Sequence, residues 1–295
     1  MSAIVFVHGI AQQLHGPETL RAAWAPALRD GLLIAGAKSD EAATASSVAF
    51  YGDLFRRRGA RSLGEPPLDA ADVDEGLERE LLLAWWEEAA RTESAVLGPD
   101  ELTRLRTPSV VQRALHALSH SAFFAGLAEN MLIGALRQVR LYLTDDGVRA
   151  AVRARVESAV TDRTRVVVAH SLGSVVAYEA LCAHPEWPVH TFVTLGSPLG
   201  IPNLVFDRLL PTPTSDRAHW PGAVRSWSNI ADRGDVVALV KHLAPRFGER
   251  LVDLTVHNGT KAHDVRPYLT AVETGQAVLM GLRGDHGPHE PPGRP

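Results

Sequence analysis

One serine in this 295-residue chain stands where a side chain could do chemistry. Residues 165–182 read R-V-V-V-A-H-S-L-G-S-V-V-A-Y-E-A-L-C. The first half is a short β-branched run, as expected of a strand buried on both faces. In the second half Leu172, Val175, Val176, Ala180 and Leu181 recur at helical spacing. No Gly or Pro loop separates the two periods, so Ser171 falls on the corner. Ala169 and Gly173 supply the small side chains that so tight a corner needs. The pattern predicts a nucleophile elbow, a strained turn that lifts a serine hydroxyl above a sheet at a helix N-terminus. The plainer alternative is an ordinary strand-to-helix turn with a serine N-cap.

A serine hydroxyl is a weak nucleophile unless an imidazole accepts its proton, and that imidazole needs a carboxylate to fix its tautomer and stabilise its cation. Downstream of Ser171, strand-end carboxylates are Asp232 and Asp235, in D-R-G-D-V-V-A at 232–238. Three histidines follow. His242 reads as part of a helix begun at Asp235, His257 ends the last expected strand, and His263 lies in the loop before the closing helix. No group of His, Cys, Asp or Glu has metal-ligand spacing and no Gly-rich phosphate loop is present, so no metal or other cofactor is expected. Cys182, the single cysteine, reads as a small core residue on the helix after Ser171.

I-V-F-V-H-G-I at 4–10, A-H-S-L-G at 169–173, V-T-L-G-S-P at 193–198, D-R-G-D-V-V-A and A-H-D-V-R-P-Y-L at 262–269 run in the order of a known family. With them the chain resembles the α/β-hydrolases of the lipase and esterase type, and within these small bacterial lipases and lipases similar to GPI-inositol deacylases. The resemblance implies an α/β-hydrolase fold in which the triad order is serine, acid, histidine. It favours Asp235 as the acid, with Asp232 as the alternative, and His263 as the base, with His257 as the alternative. It further implies an oxyanion hole made by the backbone N–H groups of Ile10 and Leu172. Ser197, in the T-L-G-S-P turn, has no base of its own and reads as structural. His8 and His170 precede the acid and read as neighbours of the hydroxyl.

These residues need a scaffold. The resemblance to small lipases implies a mostly parallel sheet of about six strands with helices on both faces, and the length suits a single domain. Strands are expected at 3–7, 47–54, 166–170, 189–195, 224–230 and 250–256, and helices at 18–35, 145–160 and 262–282. Trp24 belongs to a core stripe with Leu20, Leu28 and Leu32. Residues 56–143 match nothing in the resemblance. After a charged connector they turn helical, interrupted at Gly98-Pro99 and Thr107-Pro108, with Trp85-Trp86 and Phe123-Phe124 as apolar surface. They predict a helical cap, or else a helical layer packed on the sheet. Residues 284–295 read as a disordered tail.

Hydrophobic content of 45%, charged content of 22% and a net charge of −4 give no reason to expect a nucleic-acid partner. No run spans a bilayer and the N-terminus lacks signal-peptide character, which predicts a cytoplasmic protein. The expected function is hydrolysis of a carboxylic ester with an apolar acyl part. The same triad could serve a thioesterase, acyltransferase or amidase, and a binding protein with an idle triad is the alternative outside enzymes.

Overall fold

The computed structural model describes residues 2–56, 67–99, 109–121, 128–259 and 262–284. The chain runs through β1 (Ile4–Val7), α1 (Pro17–Ile34), α2 (Ser39–Ala42) and β2 (Ser46–Ala49), then α3 (Leu77–Thr92), α4 (Val110–Ser119), α5 (Glu129–Thr144) and α6 (Asp146–Ala159). β3 (Val166–His170), α7 (Leu172–Ala183), β4 (Thr191–Leu195), β5 (Ser226–Asp232), α8 (Ala244–Phe247), β6 (Leu251–Val256), α9 (Val265–Thr270) and α10 (Val272–Arg283) follow. The six strands form one all-parallel sheet in the order β2-β1-β3-β4-β5-β6. Helices cover both faces, so the architecture is α/β and consistent with an α/β-hydrolase-like fold.

The period-two alternation of strand side chains divides the apolar interior. Ile4, Phe6, Val166, Val168, Val193 and Ile230 join α1, α9 and α10 on one face. Val5, Val7, Val167, Ala169, Phe192 and Trp227 join α3 to α7 on the other. The strand order reverses between β1 and β3, since β2 lies to one side of that pair and β4 to the other. In open parallel sheets, a crevice forms outside the carboxyl ends of the strands at such a reversal. His8-Gly9-Ile10 leaves β1 there, and Ser171 leaves β3.

The helices of the 56–143 stretch share the apolar cluster of the second face rather than forming a separate one. α6 lies on the sheet and α7, α5 lies on α6, and α3 packs on α5 and α4. Trp85 and Trp86 of α3 are fully buried in that cluster. Two buried carboxylates are paired within this layer. Glu78 takes Nε of Arg140 at 2.6 Å, while Glu179 takes the Arg149 guanidinium and, at 2.7 Å, the Tyr142 hydroxyl. A carboxylate without water needs such partners.

Several boundaries differ from the sequence expectation. β2 stops at Ala49 because Tyr51 turns to pair with His8 and a 3₁₀ turn, Gly52–Phe55, follows. β5 runs on to Asp232. No helix begins at Asp235: the stretch to Leu243 is irregular, because the Asp253 carboxylate takes the N–H groups of Leu243 and Ala244 and the Asn229 amide donates to the Lys241 carbonyl. His242 therefore sits in a loop. The closing helix is broken at Ala271, which is extended, and the Thr274 hydroxyl takes up the Tyr268 carbonyl at 2.6 Å. The break lets both halves press on α1: a Cβ on Gly31 would lie 2.2 Å from the Leu269 carbonyl oxygen, and one on Gly275 2.1 Å from that of Gly31. Thr107-Pro108, Phe123-Phe124, residues 57–66 of the charged connector and the tail beyond Gly284 lie outside the described residues.

Candidate active site

Ser171 holds φ +55° and ψ −134° between β3 and α7. A residue with a Cβ occupies that region at a cost of about 1–3 kcal/mol, and only when its surroundings fix it. Here they do. The Ser171 N–H donates to the Leu195 carbonyl at 3.0 Å, and its carbonyl accepts the Ser174 N–H at 2.9 Å. The Ser174 hydroxyl lies 2.7 Å from that of Ser197, whose Oγ also accepts the Leu199 N–H at 3.2 Å. Ser197 thus locks the elbow helix to the end of β4. Gly173 is required by close approach, since a Cβ there would lie 2.3 Å from the His8 carbonyl oxygen and 2.4 Å from that of Val7. Ser171 is 1% exposed, and among the described residues its hydroxyl has no hydrogen-bond partner.

His263, in the loop before α9, places Nδ1 2.8 Å from Oδ2 of Asp235. The loop after β5 brings the carboxylate to it. Oδ1 of Asp235 accepts the N–H of Val237 at 2.9 Å and of Ala238 at 3.3 Å, and Oδ2 also accepts the Tyr268 hydroxyl at 2.8 Å. Lys241 donates its ammonium to the Asp235 carbonyl and stands 3.7 Å from Glu88 of α3. Burial alone would push the Asp235 carboxyl upward. The charge and hydrogen bond of His263, with Lys241 and Tyr268, outweigh it and hold the group down at about 2. Burial and the Asp235 charge hold Tyr268 well above the ordinary phenol range, so it stays a donor. With Nδ1–H donating to Asp235, the basic lone pair of the neutral imidazole belongs to Nε2.

The ring of His263 lies against the elbow. Its centroid is 4.5 Å from that of His170, the residue before the serine, and a Cβ on Gly196 would come within 3.0 Å of its Nδ1. Gly196 holds φ +55° and closes the end of β4 beside both. His170 donates Nε2–H to the His263 carbonyl at 2.9 Å and is held down at about 3, chiefly by burial and then by the charge of His263. His8 is held at about 4 by burial; it donates from Nδ1 to the Gly9 carbonyl at 2.7 Å and accepts the Tyr51 N–H at Nε2, 3.1 Å away. Both histidines are neutral braces.

Asp232 is buried at the end of β5, but its oxygens are used by backbone. Oδ1 accepts the Gly234 N–H at 2.7 Å, and Oδ2 accepts the N–H of Asn258, tying together the loops after β5 and β6. His257 is exposed at the end of β6. The structure brings Asp235 and His263 together, while both Asp232 oxygens accept loop N–H groups. Ile10 follows the His8-Gly9 turn after β1, and Leu172 opens α7 directly after Ser171. No three His, Cys, Asp or Glu side chains among the described residues are grouped to hold a metal ion, and no described helix is long and apolar enough to cross a membrane.

Tyr268 and Lys241 were not legible as parts of this site. Tyr268 had a faint signal, an aromatic hydroxyl on the buried face of a helix one turn beyond His263. Lys241 had none, because a lysine in an irregular loop ordinarily points to solvent. No protein-family model matches the chain, and no curated protein matches it at a significant level.

Proposed function

We propose that the protein is a serine hydrolase that cleaves carboxylic esters with an apolar acyl part through an acyl-enzyme on Ser171. The observation that carries the proposal is the 2.8 Å Asp235–His263 pair, with its carboxylate fully buried, set beside a strained serine corner. A buried carboxylate oriented toward one imidazole nitrogen has a clear use if the other nitrogen must accept a proton. The resemblance to lipases and esterases, and the serine–acid–histidine order, support the same reading.

In this mechanism Nε2 of His263 takes the Ser171 proton as Oγ adds to the ester carbonyl carbon. The carbonyl π pair moves onto oxygen, where the Ile10 and Leu172 N–H groups receive it. Collapse breaks the ester C–O bond, and the leaving alkoxide takes the proton from His263. Water repeats the sequence: His263 accepts its proton, hydroxide adds to the acyl carbon, and Ser171 leaves reprotonated. Asp235 stays ionised and holds the imidazolium. An apolar acyl part is supported by the surroundings. Leu172 belongs to the larger apolar cluster and Ile10 packs on it, and the same cluster takes in Leu199, Val236 and Val237 from the loops beside the pair. The hydroxyl is buried, so acylation needs the covering chain to part.

A fluorophosphonate probe should label Ser171, and Ser171→Ala should abolish both labelling and hydrolysis of p-nitrophenyl esters. Labelling that survives the substitution would refute the site. A matched series of esters, thioesters and amides of graded chain length tests the bond class, and a thioester or amide turned over faster than the ester would replace ester hydrolysis.

A further inference from the structure

The turn that carries the Ile10 N–H is held by a residue far away in sequence. Ala11 has φ +61°, a left-handed conformation that a residue with a Cβ keeps only when something fixes it. What fixes it is Gln138 of α5, 6% exposed, whose Oε1 accepts the Ala11 N–H at 3.1 Å. The same amide donates from Nε2 to Oε1 of Gln13 at 3.0 Å, so it bridges two points of the turn. Gln12 closes the turn on itself, donating to the Ile10 carbonyl at 3.2 Å. At its start the turn abuts the serine, because a Cβ on Gly9 would lie 2.6 Å from Cβ of Ser171. Ile10 lies between these two anchors. Its own φ and ψ relate its N–H to that of Ala11, so pinning the second direction restricts the first.

We propose that Gln138 is a positioning residue, a helix-borne amide that aims the Ile10 N–H at the oxyanion of the reaction. The inference rests on the ester-hydrolase reading of Ser171. It gives the helical insertion a part in the reaction besides covering the sheet: α5 clamps the oxyanion turn. A buried amide among apolar neighbours carries a desolvation cost that both its hydrogen bonds offset, and both of its bonds go to this one turn.

The test compares Gln138→Met, Gln138→Glu and Gln13→Ala with the wild-type chain on a p-nitrophenyl ester and an alkyl boronic acid, which mimics the tetrahedral oxyanion. Gln138→Met keeps length and helix preference but removes the acceptor. Its kcat should fall about tenfold, less than the loss of a direct oxyanion donor, with KM within about twofold. The boronic acid inhibition constant should rise by the same factor as kcat/KM falls. Gln138→Glu keeps an oxygen for the Ala11 N–H, and Gln13 can turn its amide to donate; its kcat should stay within about threefold of wild type. Gln13→Ala, which leaves the Ala11 bond intact, should do likewise. Wild-type kcat in Gln138→Met, equal losses in Gln138→Met and Gln138→Glu, or a Gln138→Met melting temperature lowered by more than about 10 °C, the mark of a fold-level role, would each overturn the inference. Ser171→Ala distinguishes the two levels. If it retains hydrolysis, the reading of the site fails and the inference with it; if it is inactive while Gln138→Met is unaffected, the inference alone fails.

Discussion

Replacing Asp235 by Asn changes one atom of the acceptor that faces His263. Oδ1 of Asp235 faces the Val237 and Ala238 N–H groups, so the carboxamide oxygen would stay there and the new NH₂ would occupy the position of Oδ2. That position now accepts from both Nδ1 of His263 and the Tyr268 hydroxyl, at 2.8 Å each. Tyr268 can adjust, since its oxygen already accepts the Asp232 N–H and can accept another donor. The imidazole cannot adjust without moving its proton. A donor facing Nδ1 stabilises the tautomer protonated on Nε2, which has no lone pair for the serine, and the imidazolium loses its counter-charge. Turnover should fall about 10⁴-fold, which is about 5 kcal/mol of transition-state stabilisation, with KM within about threefold. Asp232→Asn is the internal comparison. It weakens the bonds to Gly234 and Asn258, and should cost about 1–3 kcal/mol of stability while turnover changes less than about tenfold. Ester turnover and thermal melting of the two variants, measured side by side, separate the roles. A collapse of turnover at Asp232 with near-normal turnover at Asp235 would refute the assignment of the acid.

Gly173→Ala should destabilise the fold by about 3 kcal/mol or more, because the new methyl would meet two backbone carbonyls that cannot rotate away; a melting temperature within about 2 °C of wild type would contradict the packing at the elbow. Stability should also fall with acid. Burial holds His8 at about 4 and His170 at about 3, below the 6.5 of the unfolded chain, so the unfolded state binds protons first as pH drops. At pH 5 each should have removed about 2 kcal/mol relative to pH 7.5, and urea unfolding at the two pH values gives the difference. Asp235 acts in a lower window: its contribution is present above the unfolded carboxylate value and disappears only as pH falls through about 2.

The parts of this protein legible in the sequence are those governed by near neighbours. The alternation of Ile4 and Phe6 with Val5 and Val7, the change of period at Ser171 and the small residues beside it are consequences of strand and helix geometry over a few residues, and the structure reproduces them. The start of the helix expected at 145–160 is of the same kind, since the Asp145 side chain caps it by accepting the Val148 N–H at 3.0 Å. Motif order narrowed the acid and the base to two residues each, and the resemblance favoured Asp235 and His263, but the side-chain contacts of Asp232 and Asp235, three residues apart, have no local signal. Tertiary structure set those contacts. It sent the Asp232 oxygens to the loop after β6 and turned Asp235 toward a histidine 28 positions away. The break at Ala271 has no Gly or Pro at its place to announce it, and with it both closing helices come into close backbone contact with α1. Gln138 is the plainest case. In sequence it is a polar residue in an amphipathic helix, and only the fold carries that helix 127 residues back along the chain to the turn after β1. Contacts between segments so far apart depend on how whole elements stack, which no spacing within either segment records.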